Sequence, residues 1–491
     1  MTANSPYILS LDIGTSSVRS KLFDAAGEEV EGVGTQVPYR MERTQEGGEF
    51  IHPETLCEII YEAIDRADQD AQRRALAIAA VSLCTFWHNV AGVDERGTPC
   101  TPLLNWSDTR PEIVLPVLKE KLDPTAYTAR TGCPMHASYL PAKILWLHQS
   151  MPEQAKKARY WMSIGEYLLF HILGARACSY SMASGSGLLH SARCAWDETS
   201  LEALPISVEQ LSPLCDADER LGPMQPHFHR RWPSLRNAVW FPALGDGACS
   251  NIGSGCASPN RLTLMVGTSG AMRLVWRGDY REPPSGLWCY RIDRRRPIQG
   301  GALSNGGNLF EWMQSAFTLP TGEERENQLR ALPPDGHGLT FLPFLAGQRS
   351  PRWNPHKRGT LHGLRLSTQP IHILQAGLEA VAYRFRLIHE RLSPHAAQDH
   401  ILVATGGGLL HSPAWIQILA DVIGRPVHVS QVNEASCRGA ALRALESLGT
   451  LSDMADADPH FGPTFTPRDD AHAVYDKGFQ RHLEWEELIA E

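Results

Sequence analysis

Residues 8–23 read ILSLDIGTSSVRSKLF: an apolar strand carrying one carboxylate, Asp12, then a Gly-Thr-Ser-Ser turn, then a second strand in which Arg19 is the first charge. A carboxylate buried without compensation is costly, so Asp12 needs a cation, a donor cluster or ordered water beside it. Glycine and small hydroxyl residues between two strands free several backbone N–H groups to face an anion. A carboxylate beside an anion cradle points to a metal-bound phosphate. A hairpin in which Asp12 only hydrogen-bonds its own turn satisfies the same local pattern, so one copy does not decide.

A second copy does more. Residues 264–275 read LMVGTSGAMRLV, and setting Gly267, Thr268 and Ser269 over Gly14, Thr15 and Ser16 superimposes two strand-turn-strand units 253 positions apart. A repeat at about half the chain length predicts two related halves. Met265 stands where Asp12 stands, so only the first unit offers a carboxylate. One ligand shared between the two turns fits that asymmetry.

The chain has 491 residues, enough for two or more domains with cores of their own. Hydrophobic residues at 43% and charged residues at 20% are ordinary globular values, which argues against disorder. The net charge is −8 and no long Lys/Arg run occurs, so no nucleic-acid partner is expected. MTANSPYILSLDIG lacks a basic lead, and Asp12 interrupts its apolar run, so neither a signal peptide nor a membrane anchor is expected. No uninterrupted apolar stretch approaches the roughly 18 residues that cross a bilayer. The 11 cysteines are odd in number and scattered, without a C-x-x-C pair, which fits reduced thiols in a cytoplasmic protein. His227 and His229 lack further ligands at metal spacing and read as surface or packing residues.

Strand-like and helical runs alternate along the chain, predicting α/β layers. In 371–392, Leu374, Leu378, Val381, Phe385, Ile388 and Leu392 recur at helical spacing, predicting one long helix with a buried stripe. ILVAT follows as a strand, then Gly406, Gly407 and Gly408, then Ser412-Pro413 as the start of a second helix. That helix should bury Trp415, Leu419, Val422 and Ile423 and stop at Gly424. A strand, a glycine turn and a helix form a common nucleotide setting. The stretches 203–236 and 277–297 read as connections or surface excursions. The boundary falls near 245–255, giving a first domain over 1–250, a second over 251–491 and a cleft between them.

Neither G-x-x-x-x-G-K-[ST] nor G-x-G-x-x-G occurs. Instead LSLDIGTSSVRSKLFD, LGDGACSNIGSG, LMVGTSGAMR, LPFLAGQRSPRWNPHKRGTLHGL and VATGGGLLHSPAWIQILADVIGRPV, in this order, resemble the FGGY family of carbohydrate kinases. The resemblance runs from about Ile8 to Leu445. It implies two duplicated ribonuclease-H-like domains of the actin and heat-shock-chaperone ATPase superfamily, with ATP and Mg²⁺ in the cleft and the sugar held mainly by the first domain. Asp12 would face the metal. The turns Gly14, Thr15, Ser16 and Gly267, Thr268, Ser269, with Arg19 beside the first, would face the phosphates, and Gly406 and Gly407 the adenosine. Asp246 would be the catalytic base toward the sugar hydroxyl.

By the same resemblance, His88 and the W-x-D-x-R loop of Trp106, Asp108 and Arg110 would lie near the polyol, as an aromatic face, an acceptor and a donor. Trp87 stands where a smaller apolar residue is frequent, and Gln348 where a glutamate is frequent. GGALSNGGNLFEW at 300–312 and NEASCRGAALRAL at 433–445 resemble the gluconokinase branch. The acceptor expected is therefore a small-molecule sugar or sugar acid phosphorylated on a terminal primary hydroxyl, gluconate first and D-xylulose as the alternative. Arg19 or Arg110 are the cations considered for a gluconate carboxylate. An actin-like or chaperone-like ATPase switch, or a non-catalytic sugar sensor, is the reading from another class; Asp246 and the sugar-loop residues speak against it. No residue pattern fixes the oligomeric state, and a homodimer is carried as an open expectation.

Overall fold

The computed structural model describes residues 5–489. Two mixed sheets repeat one plan. In the first, strand Tyr7–Ile13 runs antiparallel to Ser17–Phe23 and parallel to Ile78–Thr85. In the second, Arg261–Val266 runs antiparallel to Gly270–Val275 and parallel to Ile401–Thr405. Each hairpin is joined by the three residues singled out above, 14–16 and 267–269, and each turn closes on its glycine N–H, to Ser17 O at 3.0 Å and to Ser269 O at 2.9 Å. Asp12 pairs with Arg19 across the first hairpin, whereas Met265 pairs with Ala271 across the second.

Both predicted helices of the second half form, as Pro370–Leu392 and Pro413–Ile423. The second is capped by the Ser412 hydroxyl, which accepts from Trp415 N, and ends at Gly424 with φ +72°. One stretch read as a connection differs: Trp288–Asp293, within 277–297, is a buried strand at the edge of the second sheet. Its charges hid it. Arg291 is buried because Ser191 O, Arg294 O and the Ser184 hydroxyl satisfy its side chain and backbone at 2.7–2.8 Å.

Helix Ala435–Ser447 comes from the second half but shares the first half's core through Cys437, Ala441, Leu442 and Leu445. It crosses helix Asp246–Gly253 almost backbone to backbone: a Cβ on Gly439 would stand 1.8 Å from Cys249 O. We keep the division at 250/251 as a proposal; it falls within helix Asp246–Gly253, between the two sheets. Among the described residues no helix is long and apolar enough to cross a membrane.

Candidate active site

Three parallel-running strand ends build the site. Asp12 is level with Cys84, and Cys84 with Leu244, across adjacent strands. Asp12, the pair Trp87-His88 just past Thr85, and Asp246 just past Gly245 therefore emerge at one edge, where the carboxyl ends of sheet strands carry sites in open α/β folds. Two strand spacings, about 10 Å, separate Asp12 from Leu244, and Asp246 follows two residues further on.

Asp246 is the first residue of helix Asp246–Gly253, and its Oδ1 accepts from Gly247 N at 2.7 Å. Burial raises its pKa to about 6; the Asp12 charge adds to the rise, while Gly247 N and the Arg273 guanidinium oppose it. Asp12 is itself buried, with Arg19 Nη1 at 3.0 Å from Oδ2 and the Cys84 thiol at 3.5 Å from Oδ1. Burial pushes its pKa up against the pull of Arg19.

A cavity of about 140 Å³ opens at Asp246, walled by Trp87, His88, Trp106 and Tyr139 from the first half and by Arg273, Tyr290 and Arg349 from the second, among others. His88 takes up a left-handed backbone, φ +62°, and its Nδ1 lies against Gly185 O. Only a protonated Nδ1 can pair with a carbonyl, which leaves Nε2 as an acceptor. Burial holds the ring neutral, lowering its pKa to about 3. Trp87 donates from Nε1 to Ser181 O at 3.0 Å. Its large ring is accommodated by glycines: a Cβ on Gly185, Gly245 or Gly247 would come within 2.7 Å of the indole.

Asp108 and Arg110 do not line the cavity. They lock each other, with Arg110 Nε 3.0 Å from Asp108 Oδ1 and Nη2 2.5 Å from Oδ2. Asp108 also accepts from Glu49 N at 3.2 Å, and the Arg110 guanidinium lies 4.5 Å over the Trp146 ring. The pair thus braces the loop that presents Trp106. Arg19 is likewise engaged, by Asp12 and by Glu434 at 3.6 Å. Gln348 is buried and donates to Glu486 at 2.7 Å.

At the turn after strand Ile401–Thr405, Gly406 has φ +88°, and a Cβ there would stand 2.4 Å from Val266 O, so only glycine fits. Gly407 has open space where a Cβ would be. The turn at 267–269 is pinned from behind: Gly307 N and Asn308 N donate to Gly267 O and Thr268 O at 2.8 and 3.0 Å. Sequence reasoning passed over Arg273, Arg349, Tyr139, Trp288 and Tyr290. The signal for Arg273 was its place two residues after Ala271 in a strand, which puts both on one face.

Two sheets of one plan, with the Asp246 carboxylate at a cavity lined from both halves, are the architecture of a sugar phosphotransferase. Residues 7–253 match the N-terminal domain, and residues 263–448 the C-terminal domain, of the FGGY family of carbohydrate kinases. The chain belongs to that family: a phosphotransferase with ATP as donor and an alcohol group as acceptor. It is 27% identical over 486 residues to a gluconokinase of Bacillus subtilis, covering 96% of this chain and 93% of that one. It is 24% identical to a xylulose kinase of the same organism, covering 93% and 91%. Among solved structures it is similar to a xylulose kinase and a gluconate kinase from Lactobacillus acidophilus, with TM-scores of 0.92 and 0.90, each at 25% identity over 99% of this chain and 98% of the other.

Proposed function

We propose that the protein transfers the γ-phosphoryl group of ATP to the terminal primary hydroxyl of gluconate. The observation that carries this reading is Asp246, which lines the sugar cavity on one side and lies within the field of Asp12 on the other. Its carboxylate accepts the hydroxyl proton as that oxygen attacks the γ-phosphorus. A neutral His88 accepts a hydrogen bond from a second hydroxyl through Nε2, and Trp106 supplies an apolar face. The turns at 14–16 and 267–269 and the glycines 406 and 407 hold the nucleotide.

Asp12 fits Mg²⁺: it is a hard oxygen donor, and its charge already disfavours ionisation of Asp246. Asp12 would hold the ion, which when bound neutralises charge on the phosphates. Gluconate is favoured by the Bacillus subtilis and Lactobacillus acidophilus relatives and by a cavity holding two guanidinium groups against one carboxylate. D-Xylulose is the second reading, favoured by the structural likeness to the Lactobacillus acidophilus xylulose kinase. Eleven free thiols support a reducing, cytoplasmic setting.

The test is Asp246→Ala. Turnover should fall by about two orders of magnitude or more, with affinity for a non-hydrolysable ATP analogue retained. Turnover like the wild type would remove Asp246 from the chemistry.

A further inference from the structure

Among the described residues, other buried arginines have carboxylate or carbonyl partners, even where single N–H groups are left over, as at Arg384 Nε and Nη2. Arg296 pairs with Asp293 and Glu446, Arg384 with Glu486, and Arg438 donates to three carbonyls. Two arginines in the sugar cavity have no salt bridge among the described residues, although the Asp246 carboxylate acts on Arg273 from further off. Arg273 forms no ion pair among the described residues, and its Nε and Nη1 are shut off from solvent without a hydrogen-bond partner. Arg349 gives one hydrogen bond, from Nη2 to Leu303 O at 2.8 Å, and stacks 5.5 Å over the Trp106 ring, again without a carboxylate. The two lie close enough that the Arg273 charge weighs against that of Arg349. Two part-buried like charges side by side call for an anion between them.

We propose that Arg273 and Arg349 form the subsite for the carboxylate of the acceptor, and that they set the preference for a sugar acid over an uncharged sugar. This rests on the gluconate reading and assigns the ends of the molecule: the carboxylate against the two arginines of the second half, the terminal hydroxyl at Asp246 of the first. Both arginines come from the second half, from strand Gly270–Val275 and from the Gly-Gln-Arg-Ser loop, so the acid itself bridges the cleft. The competing anion is the γ-phosphate. Arg273 lies four residues beyond Ser269, about 13 Å along an extended strand. Its guanidinium rests on Gly247, and Arg349 rests on Trp106, so both belong to the sugar wall. Paired guanidinium forks match a carboxylate bidentately, which a hydroxyl cannot exploit.

The experiment measures kcat/KM of the wild type, Arg273→Gln and Arg349→Gln for gluconate and for glucitol, its uncharged counterpart, together with KM for ATP. Gluconate binding by calorimetry without nucleotide is measured alongside, so that loss of turnover is separated from loss of affinity. The ratio of gluconate to glucitol kcat/KM should fall at least about 30-fold in each variant, the scale of lost charged hydrogen bonds, with weaker gluconate binding and KM for ATP within about threefold. An unchanged ratio, or a rise confined to KM for ATP, overturns the carboxylate subsite and leaves the kinase reading standing. Wild-type turnover of D-xylulose with none of gluconate overturns the gluconate reading itself.

Discussion

The indole of Trp87 occupies the space that a side chain at Gly245 would need: a Cβ there would stand 1.9 Å from Cε2. The glycine before the catalytic-base candidate is therefore a packing requirement. Its φ of −74° is open to any residue, so the demand comes from the ring alone.

Gly245→Ala should then lower the unfolding free energy by about 1 to 3 kcal/mol, the usual scale of overpacking. In a Trp87→Leu background the same change should cost about 1 kcal/mol or less, because the clashing ring is gone. Denaturant unfolding of the four proteins of this cycle checks it. Additive costs would show that Trp87 is not the neighbour that excludes a side chain.

As the proposed base, Asp246 must be ionised to accept a proton, and its pKa is raised to about 6. Activity is therefore present above that value and lost as pH falls through it. A kcat/KM profile for the acceptor from about pH 5 to about pH 8 should show an acid limb near 6, well above an ordinary carboxylate. Since the Arg273 guanidinium opposes the rise, Arg273→Gln should move the limb to higher pH. A limb that stays in place in that variant would assign the titration to another group.

Lys143 is fully buried, and its ammonium donates to the carbonyl of His88, the residue held at φ +62°. Burial lowers its pKa to about 7, with the Asp108 charge opposing. Lys143 does not line the cavity, so its expected role is to position His88. Lys143→Met should raise KM for the acceptor by about tenfold while kcat and KM for ATP change by about threefold or less, as expected when one buried hydrogen bond orienting a binding group is lost. Unchanged KM with a lowered melting temperature would make the contact purely structural.

The duplicated hairpin was legible because glycine and hydroxyl residues mark the turn in both copies, and the helices at 370–392 and 413–423 because their apolar spacing and caps are local features. Asp246 was legible only through the family pattern, since a bare Asp-Gly is an ordinary turn. The cations of the sugar pocket were not. Arg19 and Arg110 are the cations considered for the acceptor carboxylate, yet each is taken up by a neighbouring carboxylate, Asp12 and Asp108. Arg273 and Arg349 stand inside the quoted motifs, but that both line one cavity depends on bringing strand Gly270–Val275 and the loop at 349 together, which is a tertiary feature. Strand Trp288–Asp293 was missed for a related reason: Arg291 is satisfied by Ser191 O and the Ser184 hydroxyl, both distant in sequence.

The central claim, phosphorylation of a sugar acid at its chain end, is tested most directly by side-by-side kcat/KM values for gluconate and D-xylulose with the product's phosphate located by NMR. A preference for gluconate of at least about tenfold is expected, within the range that one or two pocket contacts supply, with phosphate on the terminal primary carbon. A tenfold preference for D-xylulose, or phosphate on an internal hydroxyl, would contradict it.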